Sequence, residues 1–347
     1  MGSFFILLPY FTFHFFFLLL LLTYFTSHTF SLCNHHDSSA LLEFKNSFSV
    51  NISSKPDIWP SCSSFSFKTE YWKNSTDCCK WDGVTCDTVS GHVIGLDLNC
   101  NNLKGELHPN STMFQLKHLQ KLNLAFNNFS GSSFHVGFSD LKKLTHLNLS
   151  DCHLSGNIPS SISHLSKLVL LDLSSDSYGY MEQKLKLNPL TWKKLIHNAT
   201  NLRELHLNGV NMSSIRERSL SLLTNLSSSL GSLSLAYTGL QGNLSSDILS
   251  LPNLQRLDLS FNQHLSGQLP KSNWSTPLRY LHLSTITLSG EIPNSIGNLK
   301  YLTQLVLSDC NFNGMVPLSL WNLSQLTFLD LSGNKLNGEI SPLLSNL

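Results

Sequence analysis

The chain has 347 residues, a formal net charge of +1 and only 13% charged residues. So even a balance excludes the electrostatic footprint of a nucleic-acid partner. No phosphate-cradling glycine loop, G-x-S-x-G elbow, H-E-x-x-H helix or kinase signature set is present, which excludes those enzyme classes.

Residues 4–25, FFILLPYFTFHFFFLLLLLTYF, form the one long apolar run. Thr29 and Ser31 are the small residues of a cleavage site, so residues 1–31 read as a secretory signal peptide. The run is also long enough to span a bilayer and lacks a preceding Lys or Arg, so an uncleaved anchor is the alternative. Residues 37–48, DSSALLEFKNSF, predict a helix with Asp37 or Ser38 capping its first turn and Leu41, Phe44 and Phe48 on one face. His35 and His36 read as part of that helix entry rather than as metal ligands. A Ser-rich irregular connection over 49–76 leads to DCCKWDGVTC at 77–86. Adjacent cysteines do not readily bond each other, so Cys78 and Cys79 should staple different segments. Six of the eight cysteines, Cys33, Cys62, Cys78, Cys79, Cys86 and Cys100, lie before or within the first repeat described next. In a secreted chain that even number predicts disulfides; zinc is the competing reading, and both spacing and compartment oppose it. Residues 32–91 are expected to form an N-terminal cap.

From residue 92 a pattern L-x-L-x-x-N-x-L-x-G-x-I recurs, as in LDLSGNKLNGEISP at Leu329–Pro342. Its first leucines are Leu96, Leu122, Leu147, Leu171, Leu205, Leu233, Leu257, Leu281, Leu305 and Leu329, and the last four steps are 24 residues each. A period of roughly 20–29 residues with this pattern is the mark of a leucine-rich-repeat array. In L-x-L both leucines face one side of a short strand and x faces the other. One turn cannot bury its own apolar face, so each repeat needs neighbours. The Asn, as at Asn334, can satisfy carbonyls of the adjacent turn, and Gly338 suits a tight bend. Cys152 and Cys310 occupy that Asn position and are expected to be buried free thiols. At strand spacing of ~4.8 Å, ten turns make a sheet roughly 45–50 Å long.

One step, Leu171 to Leu205, is 34 residues. Its segment 174–201 lacks the usual ending; Leu190, Trp192, Leu195 and Ile196 are expected to form a short convex helix reached through a loop with Tyr178 and Tyr180. Lys184, Lys186, Lys193 and Lys194 read as a solvated face. N-x-S/T sequons occur at Asn51, Asn74, Asn110, Asn128, Asn148, Asn198, Asn211, Asn225, Asn243, Asn273 and Asn322. Asn148 falls in a strand and would put a sugar on the concave sheet.

The leader, ALLEFK, CCKWDGVTC and the L-x-G-x-I-P endings resemble plant extracellular leucine-rich-repeat proteins. LCNHHDSSALLEFKNSFS and LRELHLNGVNMSSI narrow the resemblance to receptor-like proteins that include the Cf-type disease-resistance proteins. That resemblance implies an α/β solenoid wound as a right-handed superhelix, pairs Cys33–Cys78 and Cys79–Cys86, and a second small sheet from the I-P endings. Parity then leaves Cys62 with Cys100. It implies an extracellular recognition module, not an enzyme and without a cofactor, that binds a protein or peptide and signals through partner kinases at the plasma membrane. A secreted inhibitor of a wall-degrading enzyme, similar to polygalacturonase inhibitors, is the alternative; a non-functional truncated fragment is another.

On the concave sheet the x column reads Asp97, Asn123, Asn148, Asp172, His206, Ser234, Asp258, His282, Val306 and Asp330. Arg256, Tyr280, Gln304 and Phe328 precede the first leucines, and Tyr237 and Phe261 follow their strands. Exposed aromatics and Arg anchor protein interfaces, so Tyr237, Arg256, Phe261, Tyr280, His282 and Phe328 are the expected ligand contacts. His146, His206 and His282 share the face and are candidates to charge in a mildly acidic wall space. The chain ends at SPLLSNL as an eleventh turn begins, without a C-terminal cap, so it is expected to be an N-terminal piece of a longer ectodomain.

Overall fold

The structure, a computed structural model, describes residues 32–50, 62, 67–175, 185–216, 220–272, 274 and 276–338. The expected leader at 1–31, the Tyr178 and Tyr180 loop, Lys184, the sequons Asn51 and Asn273, and the end at 341–347 lie outside the described residues.

The core is a column of leucines shared between turns. Eleven strands make one sheet in chain order: β1 (Val84–Cys86), β2 (Val93–Asp97), β3 (Lys121–Asn123), β4 (His146–Asn148), β5 (Leu170–Asp172), β6 (Glu204–His206), β7 (Ser232–Ser234), β8 (Arg256–Asp258), β9 (Tyr280–His282), β10 (Gln304–Val306) and β11 (Phe328–Asp330). Only the β1–β2 pair is antiparallel; every later pair is parallel. The ten leucines expected to align do so without a slip, Leu96 on Leu122 and on through Leu305 on Leu329. A one-residue shift would turn every leucine outward, so register is strongly set.

A second parallel sheet runs along the other side through Gln241–Asn243, His264–Gly267, Thr287–Glu291, Asn311–Met315 and Lys335–Asn337. It is built from the residues before the I-P endings, not from the endings themselves. Thr287–Glu291 stops just before Ile292-Pro293, and Pro293 then caps the 3-10 turn Asn294–Asn298. Proline has no amide to donate to a ladder and starts the next turn instead.

At each strand exit the ladder residue ties two turns together. Asn127 Nδ2 donates to Leu98 O and Leu124 O, both at 2.8 Å, and its Oδ1 accepts from Leu103 N at 2.9 Å. Cys152 and Cys310 are buried free thiols in the same place, each donating to a carbonyl of the previous turn: Leu124 O at 2.9 Å and Leu283 O at 3.2 Å. Burial pushes the Cys152 thiol far up and the Cys310 thiol up to about 11, so both stay protonated donors. The residue before the ladder position repeatedly takes a left-handed φ, as at Phe126 (58°), Tyr237 (56°) and Phe261 (59°). Its recurrence from turn to turn marks it as the bend of the coil rather than a local site.

The cap closes the first turn. Helix α1 (His35–Asn46) is capped by Asn34, whose side chain accepts from His36 N and Asp37 N. The cap is thus neither Asp37 nor Ser38, the two residues the sequence offered, both of which lie inside the helix. Asp37 is 4% exposed and accepts from Val93 N at 2.9 Å, locking the helix to β2. Leu41 and Phe44 are buried, and Phe48, past the helix end, meets Phe44 edge-on at 5.0 Å. The structure pairs Cys33–Cys78, Cys79–Cys86 and Cys62–Cys100. The sulfurs of Cys33, Cys78, Cys79 and Cys86 lie within 4.8 Å of one another, but S–S bonds consume the thiolates a metal would need. Trp72 stacks on Trp81 at 5.1 Å.

In the long repeat, helix α2 (Pro189–Asn198) starts at Asn188, which accepts from Thr191 N at 2.9 Å. All four residues expected in a short helix lie in it; Trp192, Leu195 and Ile196 are buried, while Leu190 is 58% exposed on the opposite face.

The cap also carries a pH-sensitive contact. The rings of His92 and His118 stack at 3.9 Å, and Lys143 Nζ sits 3.2 Å from His118 Nδ1. Burial, then the charges of His92 and Lys143, hold His118 below the usual imidazole range. With a depressed native pKa the unfolded chain takes up the proton first, so stability present above about pH 6.5 is lost as pH falls below it. The midpoint of thermal unfolding is expected to fall between pH 7 and pH 5, and less so in His118→Asn. Identical pH slopes for the two chains would refute the contribution.

Candidate ligand-binding face

The concave sheet shows ten rungs of side chains, and most of its central column is already engaged. Asp97, Asn123, Asn148, Asp172, Asp258 and Asp330 each fold back and accept from the amide two residues on, at 2.9–3.2 Å. They are Asx turns that close the strand exit. One oxygen of each of these column residues is therefore committed to its own backbone.

Around β8 and β9 the structure brings together four of the six expected contacts. Arg256 and Tyr280 are cross-strand partners, and the Arg256 guanidinium lies 3.7 Å from the Tyr280 ring centroid. Tyr280 Oη meets His282 Nδ1 at 3.1 Å, and Phe261 stands edge-on to His282 at 6.5 Å. Tyr237 lies one turn earlier in the same left-handed position as Phe261 and is half-buried. Phe328, 53% exposed, is held apart: it sits two rungs from Tyr280, beyond Gln304, which is about 10 Å away.

His282 Nδ1 also faces Asp258 Oδ2 at 3.4 Å, and His282 Nε2 meets Ser284 Oγ at 2.6 Å. These are the residue types of a hydrolytic triad, but Ser284 is only 4% exposed and Asp258 7%. A substrate carbonyl has no route to the hydroxyl, so the network orients the imidazole and does not make a nucleophile. Burial pushes the Asp258 carboxyl up, yet hydrogen bonds from His282 and Ser260 and the nearby His282 charge leave it below the usual range. Burial raises the Tyr280 phenol, with Asp258 adding to it. His206 faces Asp172 at 3.6 Å. Burial, then the Lys121 charge, hold the His146 pKa below the usual imidazole range, which works against its charging in a mildly acidic space.

Beside this cluster runs a groove of about 1390 Å³ lined by Lys167, Arg203, Arg256 and Arg279, with Glu204 as its one acidic lining residue. Lys167, Arg203 and Arg279 escaped the sequence reading, which followed the columns next to the leucines. Arg203 and Arg279 both sit two residues before their first leucine, a column that alignment of the repeats could have exposed.

Of the sequons, Asn74, Asn110, Asn198, Asn225, Asn243 and Asn322 are exposed, and Asn128, Asn148 and Asn211 half-buried. Asn148 lies in β4 on the concave side, its Oδ1 accepting from Ser150 N and Oγ. Among the described residues no helix is long and apolar enough to cross a membrane.

Residues 34–87 match the family described as leucine rich repeat N-terminal domain, and 143–165, 301–323 and 325–347 match the leucine-rich-repeat family, as do 115–132 and 250–268 under a second description. The chain is 41% identical to Receptor-like protein 6 of Arabidopsis thaliana over 82% of its own length and 28% of the relative's. It is 40% identical to Receptor-like protein Cf-9 of Solanum pimpinellifolium over 78% and 31%. It thus spans under a third of these relatives. Among solved structures it is similar to a plant ice-binding protein, with TM-score 0.66, 25% identity, and 89% and 90% of the two chains covered. It is also similar to the plant peptide hormone receptor RGFR1 in complex with RGF2, with TM-score 0.53, 27% identity, and 72% and 37% covered. The architecture is that of a non-catalytic binding module resembling ligand-binding receptor ectodomains. With its disulfide-bonded cap, its in-register leucine rungs and these relatives, the chain is an extracellular-type leucine-rich-repeat domain related to the plant Cf-type receptor-like proteins.

Proposed function

We propose that the chain is the N-terminal part of a cell-surface recognition ectodomain that binds a protein or peptide on its concave face and passes the signal to partner kinases in defence. The observation that carries this reading is the Arg256–Tyr280–His282–Phe261 cluster. Here a guanidinium and two aromatic rings stand on a rigid sheet with their orientations set by neighbours. Such pre-oriented side chains lose little freedom on binding, which favours a hot spot. The relatives' names support a receptor-like role, and the peptide hormone receptor similar in fold supports the partner class. Three cap disulfides suit an extracellular setting.

The test is selection of binders from a displayed random-peptide library on the secreted full chain. Binding of the selected peptides is expected to weaken at least tenfold in Tyr280→Ala, a typical cost for a hot-spot aromatic. It should be unchanged in Lys193→Ala/Lys194→Ala on the convex helix. Binders lost in the convex variant and kept in Tyr280→Ala would overturn the reading.

A further inference from the structure

One position in the lining of the groove beside the aromatic cluster has no side chain. Gly231 lies one rung from Arg203 and one from Gln255: its amide donates to Arg203 O at 2.8 Å, and its carbonyl accepts from Gln255 N at 2.8 Å. Its backbone does not require glycine. It lies outside the left-handed region, and an added Cβ would meet only Arg203 O at 3.7 Å and Asn253 O at 3.8 Å, which is ordinary contact. The glycine therefore leaves a notch in the column, with Ser229 and Ser232 also lining the groove there.

Arg203 flanks that notch on one side, and Arg256 and Arg279 on the other; all three are exposed and line the same groove. Among the described residues none of the three makes an ion pair, and Glu204 is the only carboxylate in the lining. With an overall charge of +1, this density of cations is local. Stacking on Tyr280, with a hydrogen bond to its hydroxyl, holds the Arg256 fork in place, and its planar guanidinium has further donors. Arg203 and Arg256 stand two rungs apart, about 10 Å, with the Gly231 rung between them.

We propose that the Gly231 notch is a carboxylate-docking site for an acidic segment of a peptide ligand, with Arg203, Arg256 and Arg279 clamping an Asp or Glu side chain. Apolar neighbours Val169 and Pro277 and the Tyr280 ring line the same groove and suit a chain in which acidic and apolar residues alternate. The proposal rests on the concave face being the recognition surface and adds the chemistry recognised there.

The test uses the full chain and three probes: a fluorescein-labelled, amidated Gly-Glu-Val-Glu-Gly peptide, its Gln counterpart, and tetragalacturonate. The Glu peptide is expected to bind at least tenfold tighter than the Gln peptide and to weaken with added salt. Arg203→Gln and Arg279→Gln should each cost roughly tenfold, as loss of one charge-assisted hydrogen bond implies. Gly231→Leu should abolish binding while leaving the urea midpoint near wild type. Equal binding of the Glu and Gln peptides, or no effect of Arg203→Gln and Arg279→Gln, overturns the proposal. So does tetragalacturonate competing more strongly than the Glu peptide, which would make the ligand a polyuronide. Library-selected binders that depend on Tyr280 but not on charge would sink the notch and leave the recognition face standing.

Discussion

Asn262→Ala is expected to lower the unfolding free energy by about 3–5 kcal/mol, measured by urea titration of the full chain. The residue is 1% exposed and serves two turns at once. Its Nδ2 donates to Leu235 O and Leu259 O at 2.9 Å, and its Oδ1 accepts from Leu240 N at 2.9 Å, Thr238 N at 3.2 Å and Thr238 Oγ1 at 3.1 Å. Alanine leaves Leu259 O, Leu240 N and Thr238 N without the side-chain partner, while Leu235 O keeps Thr238 Oγ1 at 2.9 Å, and each unsatisfied group costs about 1–3 kcal/mol. Asn262→Cys should fall between the two, because a thiol there can donate to a carbonyl of the previous turn as Cys152 does, but cannot replace the amide-accepting oxygen. A cost under 1 kcal/mol for the alanine variant, or cysteine no better than alanine, would show that water takes over these bonds.

Replacing the pair Cys33 and Cys78 by serine is expected to cost about 4 kcal/mol, and replacing Cys79 and Cys86 about 2 kcal/mol, from loop-closure entropy alone. The difference follows from loop length, since the first bridge spans 45 residues and the second 7. The first bridge also anchors the start of α1, whose Leu41 and Phe44 cover the end of the leucine column. Asp77 Oδ1 accepts from both Cys33 N (3.0 Å) and Cys79 N (3.1 Å), so some local order should survive either substitution. Chemical denaturation of the two double variants, followed by tryptophan emission from the Trp72–Trp81 stack, gives the comparison. Equal losses would mean that local packing, and not chain closure, sets the value of these bonds.

The leucine register was legible because it is a one-dimensional code. A turn that must share its apolar face with the next one repeats its leucines at a fixed step, and the ten expected leucines sit on adjacent rungs. The ladder cysteines were legible for the same reason. The helix cap was misplaced by three residues or more because Asp37 finds Val93 N, 56 residues away, while Asn34 takes the cap. The short helix of the long repeat was legible too, but not that its Leu190 turns to solvent while Trp192, Leu195 and Ile196 pack inward.

The composition and period of this chain determined by themselves its coil and the place of its cap, since those follow from which residues must leave water and how often they recur. Only the tertiary structure decided which surface groups are available. Asx turns engage most of the central column, Arg256 lies down on Tyr280, and Arg203 and Arg279 line one groove three rungs apart. Hydrogen bonds and charges act over a few ångströms in space, and residues that are neighbours on adjacent turns lie about 24 or more positions apart in the chain.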